Sequence, residues 1–184
     1  MGKRVPYGSE FKLLELKARV GDLTPFRERL TDLKAYPVGT FHQIDTYYEV
    51  PKGRLKLREV SGKEEAELIY YEREDVAEPK RSRVFILRLE KPEIFKRMFD
   101  RILEKKVTVE KTREVYRYQG TQIHLDAVKD LGYFIEFERE TSMNPKSLER
   151  NRQVLKDLME KLGVEESQLE SLSYSDLLQS GDKR

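Results

Sequence analysis

Cysteine is absent from the 184 residues, so neither a disulfide framework nor a thiolate metal site can be built. No apolar run approaches the ~20 residues that a membrane-spanning helix needs. The N-terminus also lacks the apolar stretch of a signal peptide. These absences predict a cytoplasmic protein with no membrane partner. An excess of charge is missing as well: 36 basic residues stand against 34 acidic ones, a net of +2. General nucleic-acid binders carry a basic excess, so no nucleic-acid partner is expected. Internal repeats, linkers and low-complexity tracts are absent too. One domain over 10–178 is expected, with short tails at 1–9 and 179–184, as a monomer or homodimer.

What the sequence has in quantity is apolar and charged residues, each 38% of the total, and it interleaves them. Leu13-Leu14-Glu15-Leu16-Lys17-Ala18-Arg19 has period two, with Leu13, Glu15, Lys17 and Arg19 on one face and Leu14, Leu16 and Ala18 on the other. Arg54-Leu55-Lys56-Leu57-Arg58 repeats the device, with Lys56 and Arg58 opposite Leu55 and Leu57. Near the end, Glu136 and Glu138 share a face opposite Ile135 and Phe137, and Asp126 alternates with Leu125 and Ala127.

Strand patterns cover 11–20, 40–50, 54–59, 66–73 and 83–89. A further stretch, 105–118, reads as one unbroken strand or as two, 107–110 and 113–118; 122–128 and 133–140 complete the set. Helices are expected from Thr24-Pro25, with the threonine hydroxyl as cap, from Pro92 and from Asn144-Pro145. A short helical tail carries Leu169, Leu172, Tyr174 and Leu177. Ile94, Phe95, Met98, Phe99 and Ile102 form an apolar stripe on the middle helix. The fold class is therefore α+β, with about eight mostly antiparallel strands, enough to close a barrel around one small ligand.

Any one alternating strand is ordinarily half-exposed, with its ions in water. Recurrence of the pattern argues for a different arrangement, in which apolar faces turn outward under helices and the charged faces meet inside. Lys17, Lys56, Arg58 and Arg113, with Arg19, Arg73 and Lys111 as companions, would then share an interior with Glu136, Glu138 and Asp126. That mixture suits a polyanion bound with a divalent metal. Lys and Arg would neutralise phosphate oxygens, while carboxylates would hold Mg²⁺ or Mn²⁺. His124 is a further possible metal ligand, although a single histidine on a strand is more often structural. Tyr47, Tyr48, Tyr70 and Tyr71 could stack a nucleobase, although tyrosines on strands more often pack a sheet.

In order, LELKARV, Gln43-x-Asp45-Thr46-Tyr47-Tyr48, GRLKLRE, ELIYYER, EKTREVY, IHLDAVKDLG and FIEFE resemble the CYTH, or triphosphate tunnel metalloenzyme, superfamily. The likeness spans 11–178. It implies an eight-stranded antiparallel β-tunnel with helices packed outside, acting on a triphosphate with Mg²⁺ or Mn²⁺. The implied metal ligands are Glu15, Glu136 and Glu138, with Lys17 and Glu15 catalytic. Lys17, Lys56, Arg58, Arg73, Lys111 and Arg113 are the implied phosphate-binding residues, and Asp126 a carboxylate beside the substrate. Three positions depart from the pattern: Leu13 replaces a glutamate, Tyr71 stands near an expected lysine, and Arg83 occupies an expected glutamate position. Arg73, on the same face as Tyr71, is expected to compensate. Hydrolysis of inorganic triphosphate, thiamine triphosphate or ATP is the favoured activity. The alternatives are an adenylyl cyclase releasing cyclic AMP and pyrophosphate, and a module that binds without turnover.

Overall fold

The computed structural model describes residues 8–142 and 144–181. Eight antiparallel strands form a closed barrel: β1 (Gly8–Val20), β2 (Tyr36–Tyr48), β3 (Arg54–Val60), β4 (Ala66–Arg73), β5 (Lys80–Leu89), β6 (Lys105–Tyr118), β7 (Thr121–Val128) and β8 (Gly132–Glu140). Around the ring the order is β1-β5-β4-β3-β2-β6-β7-β8. Two meanders, β2 to β5 and β6 to β8, thus meet along two seams. β2 pairs with β6 at one seam, and β1 lies between β5 and β8 at the other. The opening strand is the piece that closes the barrel. Closure also removes the unpaired sheet edges that would invite aggregation.

Among the described residues, four α-helices lie outside the barrel wall or across its end: α1 (Thr24–Asp32), α2 (Pro92–Ile102), α3 (Pro145–Lys161) and α4 (Tyr174–Ser180). A 3-10 turn, Glu166–Gln168, precedes α4. The largest core is the outward face of β1, where Leu14, Leu16, Ala18 and Val20 join Ile123, Leu125, Ile135 and Phe137. Phe26 and Leu30 of α1 and Leu148, Leu155, Leu158 and Met159 of α3 cover it. Each large apolar residue in it contributes about 1.5–3 kcal/mol by leaving water. That is why Leu14, Leu16 and Ala18 of β1, Ile123 and Leu125 of β7 and Ile135 and Phe137 of β8 turn outward, and Glu15, Lys17, His124, Glu136 and Glu138 are left facing the lumen.

Several boundaries differ from the sequence reading. β1 begins at Gly8 rather than at 11, and β5 at Lys80 rather than 83, because pairing between the two strands extends both. Residues 1–7 and 182–184 of the expected tails lie outside the described residues. Residues 8 and 9 are strand, and residues 179 and 180 belong to α4. β2 starts at Tyr36, ahead of the expected 40, and its register with β6 shifts between Pro37 and Gly39. Proline lacks the N–H the ladder needs, so an irregularity there lets the strand continue past it. Thr24 is not a cap; its N–H and hydroxyl both donate to Asp22 at 3.1 Å. Asn144 does cap α3, accepting from the Ser147 N–H at 2.8 Å. β6 is the single long strand. It turns into β7 through Gln119 and Gly120, whose φ angles of 45° and 77° suit a tight two-residue hairpin.

The stripe expected on α2 divides in two. Phe95 and Phe99 pack on Tyr48, Leu57, Ala66 and Leu89, while Ile94, Met98 and Ile102 are exposed. An 11-residue helix lying on a sheet contacts it along one narrow line, and the apolar band here is wider than that line.

Candidate active site

Strand register decides which ions meet. Across the β1–β8 seam Glu15 faces Glu138 and Lys17 faces Glu136; across β7–β8 His124 faces Glu136. Arg58 lies opposite Asp45, and Arg113 opposite Asp126. The barrel encloses a cavity of about 790 Å³. Lining it are Glu15, Lys17, Lys56, Arg58, Arg73, Lys111, Arg113, Glu136 and Glu138, nine of the ten residues named from sequence.

Two buried carboxylates organise the cations. Asp45, 1% exposed, accepts from Arg58 Nε and Nη2 at 2.8 Å each and from Lys56 Nζ at 2.9 Å, with Lys111 Nζ 3.8 Å away. Asp126, fully buried, accepts from Arg113 Nε at 2.7 Å and Nη2 at 2.5 Å and from the Tyr174 hydroxyl at 2.9 Å. Burial opposes charge on both, yet their cationic neighbours hold both below the usual carboxylate range. Asp126, the expected substrate-side carboxylate, is not itself among the residues lining the cavity; it bonds and aims the guanidinium of Arg113, which is. That guanidinium reaches on to Glu136 Oε2 at 2.5 Å.

The lysines feel burial most. Desolvation brings Lys17 and Lys111 down to about 7 and Lys80 to about 8. Glu136 and Glu15 partly oppose this at Lys17, while Arg73 and Lys80 add to it. At Lys111 the neighbouring Arg113 adds to the burial effect. The segment following the 3-10 turn closes one end of the barrel through its carbonyls. Lys17 donates to Leu172, Lys80 to Glu170 and Ser171 at 3.0 Å each, and Arg73 to Ser171 at 3.2 Å. Tyr174 completes that floor, with its ring 4.4 Å from Lys17 Nζ and packed edge-on to Phe134.

The acids form the other half of the site. Burial raises the pKa of Glu15; Arg73, which donates to it at 2.9 Å, lowers it, and Glu138 and Glu136 push it up again. Like charges facing across strands are unfavourable, and a divalent cation would relieve that crowding. His124, Glu136 and Glu138 can each offer one donor atom, the three lying within 4.8 Å of one another. The residues present therefore fit a metal ion.

The departures sort by side. Leu13 faces the cavity, and Tyr71 lines it with its ring 5.7 Å from Lys56 Nζ. Arg83 stands at the expected glutamate position. It points outward and pairs with Glu10 at 2.8 Å, because Ser82 and Val84 take the inward positions on β5. Arg19, an expected companion, stacks on Phe134 at 5.1 Å rather than lining the cavity. Sequence reasoning assigned no role to Asp45 or Lys80, and read Tyr174 only as part of the closing helical tail. Asp45 carried a signal, a lone acid between Ile44 and Thr46 on an alternating strand. Lys80 and Tyr174 carried none, since their positions depend on how the C-terminal segment docks.

A comparison with family profiles matches the CYTH domain over residues 12–174. A search of curated proteins found no match. Among solved structures, the PH1012 protein from Pyrococcus horikoshii OT3 superposes with a TM-score of 0.80 at 24% identity, covering 90% of this chain and 98% of that one. A candidate adenylate cyclase from Vibrio parahaemolyticus gives 0.76 at 22% identity, covering 92% and 98%. HpAC1 from Hippeastrum, a candidate adenylyl cyclase revealing a dominant triphosphatase activity, gives 0.65 at 16% identity, covering 93% and 96%.

Proposed function

The chain belongs to the CYTH domain family, and from that premise we propose that it binds the triphosphate group of a small molecule inside the barrel and cleaves it with Mg²⁺ or Mn²⁺. One observation carries the reading: eight cationic side chains, seven of them from β1, β3, β4 and β6, converge on one cavity that five carboxylates also line. Asp45 and Asp126 already hold part of that charge, and a ligand of several negative charges suits the guanidinium and ammonium N–H groups that these acids leave facing the cavity.

In this reading Arg58, Arg73 and Arg113 clasp phosphate oxygens through paired N–H groups, and Lys56, Lys17 and Lys111 supply point charges. Asp45 and Asp126 hold the guanidinium groups of Arg58 and Arg113 in place before the ligand arrives, so little reorganisation is needed. Triphosphate entry raises the proton affinity of Lys17 and Lys111, which take up protons and become full counter-charges. Glu136 and Glu138, with Glu15, would hold the metal, which when bound polarises a phosphoryl oxygen and offsets developing charge. Glu15 is held by Arg73, so release of that pair precedes any role as a ligand or proton acceptor. Catalysis would then rest on positioning and charge neutralisation, with water attacking the terminal phosphorus.

A second reading has its own observation. The half-buried cavity residues Phe11, Leu13, Phe41, Val60, Val84, Ile86 and Val115 form an apolar lining beside the charged groups. That lining favours an organic triphosphate over the bare inorganic anion, and so keeps the cyclase route open, in which the 3′-hydroxyl of ATP attacks the α-phosphorus. Incubation with inorganic triphosphate, thiamine triphosphate and ATP, each with Mg²⁺ or Mn²⁺, tests both. Phosphate release supports hydrolysis, cyclic AMP with pyrophosphate supports cyclisation, and tight binding without product supports a non-catalytic module. If none of the three binds in the presence of metal, the triphosphate reading is wrong.

A further inference from the structure

We propose that His124 is a metal ligand through Nδ1, completing a site with Glu136 and Glu138 that takes Mn²⁺ or Co²⁺ in preference to Mg²⁺. This rests on the metal-dependent reading above and sharpens it. His124 is 4% exposed, and its Nδ1 is buried with no hydrogen-bond partner. Buried ring nitrogens are ordinarily satisfied, so an orphan aimed at two carboxylates calls for an occupant between them.

The geometry is close to that of a coordination sphere. Nδ1 lies 3.6 Å from Glu136 Oε2 and 3.7 Å from Glu138 Oε1. Adjacent donors at about 2.1 Å from a shared ion stand roughly 3.0–3.4 Å apart, so His124 Nδ1 is within a few tenths of an ångström of that spacing from each carboxylate, and the three donors, all within 4.8 Å of one another, would draw together on the ion. The backbone sets this up, because His124 is the direct cross-strand partner of Glu136, and Glu138 lies two residues further on the same face. Arg113, bonded to Glu136 Oε2 at 2.5 Å, orients that carboxylate as an outer-shell group. Its positive charge counts against ion affinity, which makes the strength of the nitrogen bond matter more. Mg²⁺ prefers an all-oxygen shell, whereas imidazole favours later first-row ions. One nitrogen among oxygen donors therefore discriminates between them.

The test uses the full-length protein without substrate, titrated with Mg²⁺, Mn²⁺ and Co²⁺. Pulsed electron paramagnetic resonance of the Mn²⁺ complex should show coupling to a histidine nitrogen that changes when the histidines carry ¹⁵N. The sequence has two histidines, and His42 bonds Ser61 and Glu110, so His42→Gln should keep the signal. His124→Gln should lose it and weaken Mn²⁺ and Co²⁺ binding by at least about tenfold, while Mg²⁺ affinity moves less than about threefold. If Mn²⁺ binds without nitrogen coupling, and Glu138→Gln abolishes binding while His124→Gln does not, His124 is not a ligand and the metal reading stands. If no ion binds the wild-type protein, both fail. The labelled wild-type spectrum decides the matter even if His124→Gln does not fold.

Discussion

Replacing Asp45 with asparagine tests whether the tunnel is held open by its own buried acids. The side chain keeps its size and one acceptor oxygen but loses the charge that three cations share. Breaking a buried ion pair by removing one partner costs about 3–5 kcal/mol, because the abandoned charge stays buried. Two relaxations place this variant at the low end. Lys111, already brought to about 7 by burial, can shed its proton, and the asparagine carbonyl still accepts from Arg58. For a domain of this size ~3 kcal/mol corresponds to a fall of about 6–12 °C in melting temperature. Inorganic triphosphate replaces the missing charge, so it should raise the melting temperature of Asp45→Asn more than that of the wild type. Calorimetry or circular dichroism, with and without millimolar triphosphate and no metal, reads both effects. A variant that melts within about 2 °C of wild type would refute the idea that Asp45 neutralises the cluster. Equal ligand-induced shifts in the two proteins would refute the claim that its cations are the anion's partners.

Lys17 and Lys111 give a pH signature with two opposite signs. Their folded values of about 7 lie below the ordinary lysine value of 10.5, so the unfolded state holds more protons between those limits. Stability of the ligand-free protein should therefore rise with pH from about 7 towards 10, while triphosphate binding weakens by up to about tenfold per lysine per pH unit. Melting curves and titration calorimetry at about pH 6.5, 7.5 and 8.5 measure these, and parallel trends would contradict the assignment. Glu138→Gln should abolish metal-dependent turnover while leaving the fold intact; full activity would remove Glu138 from the ligand set. Leu155→Ala, beneath β1 and fully buried, should cost about 2–5 kcal/mol of stability in denaturant unfolding without altering the tunnel's ions. A loss under about 1 kcal/mol would mean that α3 does not carry the core as described.

Strand positions and faces were readable from local pattern. Period-two alternation at Leu13 to Arg19, at Arg54 to Arg58 and at Ile135 to Glu138 states which side chains share a face, because the pleat allows no other arrangement. Together with the family likeness it named nine of the residues that line the cavity. The likeness says less at Arg83: on β5 Ser82 and Val84 take the inward positions, so the arginine between them faces outward. Local pattern failed on α2, where a helical stripe says which residues are apolar but not how wide a surface awaits them.

Partnership is a different matter. Period two is blind to register, and register alone sets His124 against Glu136, Glu15 against Glu138 and Asp126 against Arg113. Nor does any local signal reveal that the segment around Tyr174 closes one end of the barrel and takes Lys17, Arg73 and Lys80 onto its carbonyls. The depressed lysines follow from that enclosure, since desolvation requires walls from every side. The residue order by itself determined a barrel with ions inside and apolar faces out. Only the closed tertiary structure decided which ions neutralise one another and which face the cavity, because those outcomes depend on distances between segments far apart in the sequence.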